Sequence, residues 1–177
     1  MPSALDVRRL RPLVVAALLI GGLAALTALN VSGPVVLANT TASEPKGLYV
    51  RRPGPIVVGA LVAFRTPDAA FPYADHKLAY LRHRPILKAV AAGPGDLVCT
   101  TTGRLVINGA DRAAIWRIDG EGRALPRWEG CRRLHSDEVF AFSNRVPNSF
   151  DSRYFGPVSR NAVIGVFLPL RLPTEAS

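Results

Sequence analysis

The sequence predicts a mainly β domain with a coiled or barrel-like sheet, preceded by an N-terminal transmembrane helix. Fifteen prolines and fifteen glycines punctuate the 177 residues. Several short apolar runs have the length of strands, and no long amphipathic pattern follows the first apolar stretch. The chain beyond that stretch is long enough to bury a core without obligatory disulfides.

The N-terminus has the pattern of a membrane anchor. Arginines at positions 8, 9 and 11 precede Leu13–Val31, a run without charge. As a helix these 19 residues would span about 28 Å, close to the ~30 Å of a bilayer core. Arginines before the run place its N-terminal side in the cytoplasm.

This orientation divides the chain at residue 32. Residues 1–32 are predicted to be a cytoplasmic N-terminus and anchor, and residues 33–177 an exported domain. The alternative is a cleavable signal peptide that ends at Ala38. We therefore expect a single-pass protein of the bacterial inner membrane with its domain in the periplasm.

The charge balance indicates which partners to expect. The net charge is +9, and only three of the basic residues are lysines. The arginines are scattered and form no basic stripe interleaved with aromatic residues, so an acidic membrane surface fits better than a nucleic acid. We expect a protein substrate and a membrane as partners, and no nucleic acid.

The apolar runs beyond the anchor predict strands. They are bounded by prolines, glycines and turn residues, as strands of a punctuated β domain are. Residues 66–80 are predicted to form a loop or a short helix. The predicted strands are Val57–Phe64, Ile86–Ala92, Leu97–Thr101, Arg104–Ile107, Val139–Phe142 and Val163–Leu168.

A hairpin insertion is predicted over residues 99–131. Asn108-Gly109 is a strong signal for a tight β-hairpin turn. Cys99 and Cys131 bracket this region, and two cysteines in an exported domain can pair. Two separate buried thiols remain the alternative. A zinc site would need more ligands than these cysteines and three scattered histidines offer, so we expect no metal.

Ser43 and Lys88 are the residues with the clearest chemical meaning. Ser43 lies just beyond the predicted membrane exit, where Pro45 and Gly47 stiffen and turn the chain. Lys88 lies inside an apolar strand, where burial would lower its pKa. A neutral amine can take a proton from serine, which a solvated lysine cannot. The alternative is a strand lysine that reaches out to water.

Four segments in order carry a resemblance to a known family. The chain resembles the type I signal peptidase superfamily, membrane-anchored serine–lysine peptidases with a coiled β-sheet fold. The resemblance implies that Ser43 is the nucleophile, that Lys88 is the general base and that a peptide bond is cleaved without a cofactor. The matching segments are Ser43–Tyr49, Gly59–Phe64, Lys88–Asp96 and Asn148–Gly156.

Within that superfamily the chain most resembles the conjugative-transfer maturation peptidases of the TraF type. Two positions depart from the housekeeping enzymes: Glu44 stands where they usually have Met, and Phe142-Ser143-Asn144 replaces Gly-Asp-Asn. The resemblance implies processing of a conjugative pilin precursor, which in some systems is followed by cyclisation of the pilin.

The same resemblance implies roles for four further residues. Thr41 would supply a second oxyanion donor beside the Ser43 N–H, and Ser149 would orient Lys88. Asp151 and Arg153 would form a supporting ion pair. Two other functions remain open: a housekeeping type I signal peptidase, and a catalytically silent membrane-tethered factor of the conjugation apparatus.

Overall fold

The computed structural model describes residues 12–22, 33–101 and 103–170. The chain divides into two compact units, residues 1–35 and 36–177. In the first unit residues 12–22 are helical (α1). Among the described residues no helix is both long and apolar enough to cross a bilayer. Positions 23–31 of the predicted anchor lie outside the described residues.

The second unit contains a large antiparallel sheet curled into a half-barrel. Its strands are Val36–Asn39 (β1), Gly47–Arg52 (β2), Leu61–Phe64 (β3), Ile86–Ala92 (β4), Glu138–Ala141 (β9), Val158–Ser159 (β10) and Val163–Pro169 (β11). They are ordered β1-β2-β11-β3-β4-β9-β10. The predicted mainly β class is confirmed.

A smaller antiparallel sheet contains the predicted hairpin insertion. Its strands are Leu97–Cys99 (β5), Arg104–Ile107 (β6), Ala110–Ala114 (β7) and Cys131–Arg133 (β8), ordered β7-β6-β5-β8. Asn108 and Gly109 both have positive φ, 51° and 81°, as the tight turn between β6 and β7 requires. Cys99 and Cys131 face each other across β5 and β8 and form the predicted disulfide.

Helical segments are short. Tyr73–Lys77 (α2) lies between two 3₁₀ turns, Asp68–Ala70 and Ala79–Arg82, in the stretch predicted to be a loop or short helix. Ser152–Phe155 (α3) follows β9, and a further 3₁₀ turn at Arg160–Ala162 leads into β11. All four residues of α3 are buried.

Three apolar clusters fill the described interior of the second unit; the smallest consists of Tyr49, Ala63, Leu87 and Phe167, and the two larger ones include residues of β9. The first of the larger two joins the large sheet to the short helices through residues such as Val62, Phe64 and Phe155. The second lies under the smaller sheet, where Phe140 and Phe142 pack with Val98 and other residues of β5 and β6. Because β9 contributes to both larger clusters, it links the packing of the two sheets.

Several parts of the fold differ from the sequence prediction, among them strands β8 and β10, which were not predicted. Residues 57–60 are not part of a strand: β3 begins at Leu61, and Val57 and Val58 are exposed. Gly59 has a φ of 88° and the Ala60 N–H bonds to Val57 O, so the chain turns there instead of extending. Strands β1 and β2 were not predicted, although they flank the segment that carries Ser43.

Candidate active site

Ser43 lies in the loop between β1 and β2. The two strands pair from Val36↔Val50 to Asn39↔Gly47, so residues 40–46 form the connection between them. Gly47 has a φ of 148°, a conformation that L side chains rarely adopt. We call residues 40–46 the nucleophile loop.

Asn39, the last residue of β1, holds this loop in shape. Its Nδ2 lies 3.1, 2.9 and 3.0 Å from the carbonyl oxygens of Thr41, Glu44 and Pro45. Its Oδ1 accepts hydrogen bonds from the backbone N–H and the hydroxyl of Thr41, at 3.2 and 2.8 Å. One side chain therefore satisfies backbone groups on both sides of Ser43.

Lys88 on β4 meets Ser43 inside the protein. Its Nζ lies 2.7 Å from Ser43 Oγ and donates to Leu87 O at 3.1 Å. Only 5% of Lys88 and 8% of Ser43 are exposed. Burial lowers the pKa of Lys88, Asp151 and Glu44 oppose that shift, and Arg153 reinforces it. A lysine so placed is able to hold its amine neutral and accept the Ser43 proton.

Asp151 and Arg153 form a buried ion pair close to Lys88. Arg153 Nε donates to Asp151 Oδ1 at 2.8 Å and Nη2 donates to Oδ2 at 3.0 Å. Asp151 also caps α3 by accepting from the Arg153 N–H. Arg153 further donates to Ser149 O and Ala114 O, at 2.9 and 3.0 Å. The pair thus fixes the segment after β9 against β7.

Two residues that sequence reasoning left without a role are part of the site. The Ser143 hydroxyl donates to the backbone carbonyl of Ser43, which connects the segment after β9 to the nucleophile loop. The Glu44 side chain is 8% exposed, and its Oε1 has no hydrogen-bond partner among the described residues. The sequence shows that Ser143 and Glu44 depart from the motif of the housekeeping enzymes. The acid at position 44, next to the candidate nucleophile, could have indicated a role in the site.

Thr41 lies near Ser43, and Ser149 lies near the ion pair. Thr41 Oγ1 is 3.2 Å from Ser43 Oγ while it donates to Asn39. Ser149 is buried, but its hydroxyl has no partner within the part of the chain that the structure describes. Their roles, as an oxyanion donor and in orienting Lys88, stay predictions.

Comparison with known proteins places this arrangement in a family. Residues 8–169 match the family described as signal peptidase, peptidase S26. The chain belongs to this peptidase family. The match includes both Ser43 and Lys88 and covers nearly all of the described residues.

Relatives of this S26 family member are conjugation proteins. A plasmid transfer protein TraF of Escherichia coli is 35% identical over 166 residues, which cover 88% of this chain and 89% of the relative. A second from Escherichia coli is 31% identical over 169 residues, covering 89% and 94%. The conjugal transfer protein TraF of Agrobacterium tumefaciens is 33% identical over 159 residues, covering 82% and 87%. The predicted resemblance is confirmed.

A solved structure is also similar to this S26 peptidase. It is a signal peptidase I of Enterococcus faecalis, 20% identical, which matches 66% of this chain and 97% of its own with a TM-score of 0.36. A likeness at that score is weak, and the family assignment rests on the sequence matches.

Proposed function

We propose that this chain is a membrane-anchored serine endopeptidase with a Ser–Lys dyad, and that it processes exported precursors, above all a conjugative pilin precursor. The observation that carries the proposal is the 2.7 Å separation of Ser43 Oγ and Lys88 Nζ, both buried. Membership of a peptidase family supports a protein as the substrate.

The proposed reaction is acyl transfer. Ser43 Oγ attacks the carbonyl carbon of the scissile bond while its proton moves to Lys88 Nζ. The ammonium of Lys88 then gives that proton to the leaving amine, and an ester on Ser43 remains. Water, activated by the neutral Lys88, resolves the ester. The Ser43 N–H and the Thr41 hydroxyl are proposed to hold the oxyanion, the hydroxyl after it turns away from Asn39 Oδ1, and each donor would lower the barrier by a few kcal/mol.

The edge of β4 offers a place for an extended substrate. Val90 bonds to Ala60 and Gly59 on the β3 side, whereas Ala89 O accepts from Phe142 N on the opposite side. By strand alternation the Leu87 amide also faces away from β3. Pairing with β9 begins only at Val90, so the part of β4 next to Lys88 is proposed to pair with the substrate backbone.

The pilin substrate and the location are proposed on separate grounds. Similarity to TraF proteins of plasmid and conjugal transfer supports a pilin precursor. The arginines before the apolar run support an inner-membrane anchor with the catalytic domain in the periplasm. The Cys99–Cys131 disulfide supports an oxidising compartment.

The test is processing of a conjugative pilin precursor, by wild type and by Ser43→Ala in the same membranes. We expect wild type to give mature pilin, and Ser43→Ala to accumulate precursor while reaching wild-type abundance in the membrane. Ser136→Ala, which removes an exposed serine, is the matched control and should process normally.

Two results would overturn parts of the proposal. Normal processing by Ser43→Ala, with precursor in excess, would remove Ser43 as nucleophile. Cleavage of general secretory precursors by wild type, with the pilin precursor left intact, would instead support a housekeeping signal peptidase.

A further inference from the structure

Glu44 is a buried carboxyl beside the proposed dyad. It is the residue after Ser43, it is 8% exposed, and its Oε1 has no hydrogen-bond partner among the described residues. Burying a carboxyl without a full set of partners is costly. An apolar side chain of similar size would avoid that cost, so the acid at this position calls for a physical reason.

The surroundings of Glu44 indicate what its charge acts on. The Lys88 charge on β4 interacts with it, and the Ala89 backbone and the Ser143 hydroxyl lie within reach of its carboxyl. The pKa of Glu44 is raised overall, because the effect of burial exceeds the opposite effects of these three groups and Arg145. Burial and the charge of Glu44 raise the pKa of the Tyr49 phenol on β2.

The pKa of Lys88 is in turn subject to opposed influences from burial and from three charged residues. Burial and Arg153 disfavour its ammonium form, whereas Asp151 and Glu44 favour it. Asp151 is already engaged by two hydrogen bonds from the Arg153 side chain. Asp151 has the larger effect of the two acids, but its partner Arg153 acts on Lys88 in the opposite direction, so the balance at Lys88 also depends on Glu44.

We propose that the Glu44 carboxylate is a positioning residue that stabilises the ammonium formed when Lys88 takes the proton of Ser43, and so makes Lys88 a stronger base. This inference rests on the proposed function. The Ser43 O–H bond breaks and an N–H bond forms on Lys88, and Glu44 forms no bond. Its negative charge compensates the positive charge that appears in a buried place, where such compensation is strong.

The proposal makes a signed prediction for the pH profile. Only neutral Lys88 accepts a proton, so kcat/KM rises with pH through the pKa of Lys88. An opposite charge nearby raises that pKa, so its removal moves the rise to lower pH by about one unit. The weaker base then lowers kcat/KM at the alkaline plateau, by about tenfold for one pKa unit if proton transfer is nearly complete in the transition state.

The experiment compares Glu44→Gln, Glu44→Met and Glu44→Asp with wild type in the full-length protein, using cleavage of the pilin precursor from pH 5 to 10. Gln keeps a hydrogen-bond acceptor near Ala89 and Met does not, but both remove the charge. In both variants we expect the rise of kcat/KM to move to lower pH and the alkaline plateau to be lower. Glu44→Asp should retain much of the wild-type profile. Glu129→Gln, an exposed acid paired with Arg127, should leave the profile unchanged.

The outcomes separate this inference from the proposed function. Suppose that Glu44→Met loses activity and Glu44→Gln does not, while kcat/KM rises at the wild-type pH in both variants. Glu44 would then only support the loop, and the inference would be overturned. A wild-type profile in all three variants would do the same. Neither result affects the dyad, which is tested separately by Ser43→Ala and by the Lys88 variants.

Discussion

At the scale of single residues, the candidate site depends on a lysine that is removed from water. Lys88 is 5% exposed and lies among groups of both signs. Desolvation is the largest influence on its pKa and favours the neutral amine. The buried acids nearby act in the opposite direction and favour the ammonium form.

The base assignment predicts that Lys88→Arg is nearly as inactive as Lys88→Ala. Arginine retains the positive charge but keeps its proton at any pH that the protein survives, so it cannot accept one from Ser43. Precursor cleavage by the purified variants across a pH series measures this. Substantial turnover by Lys88→Arg would show that the residue serves as a positive charge and that another group is the base.

Ser43 and Lys88 could be selected from sequence because each departs from its local context. A lysine in the apolar run Ile86–Ala92 is unusual, and Ser43 follows a membrane-like segment. The charges that act on Lys88 could not be read in this way. Arg82, near in sequence, is exposed and pairs with Asp75, whereas Glu44 and Arg153 reach Lys88 only through the fold.

At the scale of elements, the nucleophile loop depends on the end of β1. Residues 40–46 belong to no strand or helix, so the loop has no regular pattern of backbone–backbone hydrogen bonds. Its carbonyl groups are bonded instead by Asn39, by the Ser143 hydroxyl at Ser43 O, and by the Tyr49 hydroxyl at Pro45 O. These contacts fix the direction in which Ser43 presents its hydroxyl.

We predict that Asn39→Ala lowers kcat about 10- to 100-fold while leaving the fold intact. The variant removes bonds that would each contribute about 1 kcal/mol, and a loss of 1.4 kcal/mol in positioning is a tenfold loss in rate. Asn39→Asp is the matched control: it keeps the acceptor for Thr41 and loses the donor to the loop carbonyls. Precursor cleavage and thermal unfolding are measured together.

If Asn39→Asp loses as much activity as Asn39→Ala, the donor side of the amide is what matters. Wild-type kcat in both variants would contradict the role assigned to Asn39. A large fall in melting temperature with unchanged kcat in the folded fraction would also contradict it, because Asn39 would then stabilise the domain without positioning Ser43.

The strands illustrate which elements could be predicted from sequence. Strand β4 matches the predicted Ile86–Ala92 because a buried strand forms an apolar run, here interrupted only by Lys88, with a turn after it. Strands β1 and β2 escaped prediction because they lie at one side of the large sheet and are half exposed, with burial alternating or irregular. Polar and basic residues such as Arg51 and Arg52 interrupt any apolar pattern there.

At the scale of the whole second unit, the site forms where the two sheets are joined. β4 carries Lys88 and β9 leads into Ser143 and the ion pair, while Arg153 donates to Ala114 O on β7. Gly156, which ends the last motif, has a φ of 83° and lies against Trp128, so that a Cβ there would stand 2.7 Å from the indole. Parts distant in sequence thus hold the dyad together.

The buried lysine should also affect the stability of this unit as a function of pH. The pKa of Lys88 is lowered in the folded protein from an ordinary value of 10.5. Below that ordinary value the unfolded chain binds a proton that the folded chain holds less tightly. Unfolding is therefore favoured as pH falls, until the folded pKa is passed and the cost becomes constant.

We predict that Lys88→Met gains stability over wild type as pH falls from about 10.5 toward 7, by at most about 1.4 kcal/mol per pH unit. Met fills a similar volume and carries no proton to lose, so the linkage disappears in the variant. Urea unfolding of the full-length protein over this range measures the difference. Lys46→Met, which removes an exposed lysine of the nucleophile loop, should follow the wild-type curve with a constant offset. Parallel curves for Lys88→Met and wild type would mean that Lys88 keeps its proton when buried, and the base assignment would then lose its physical foundation.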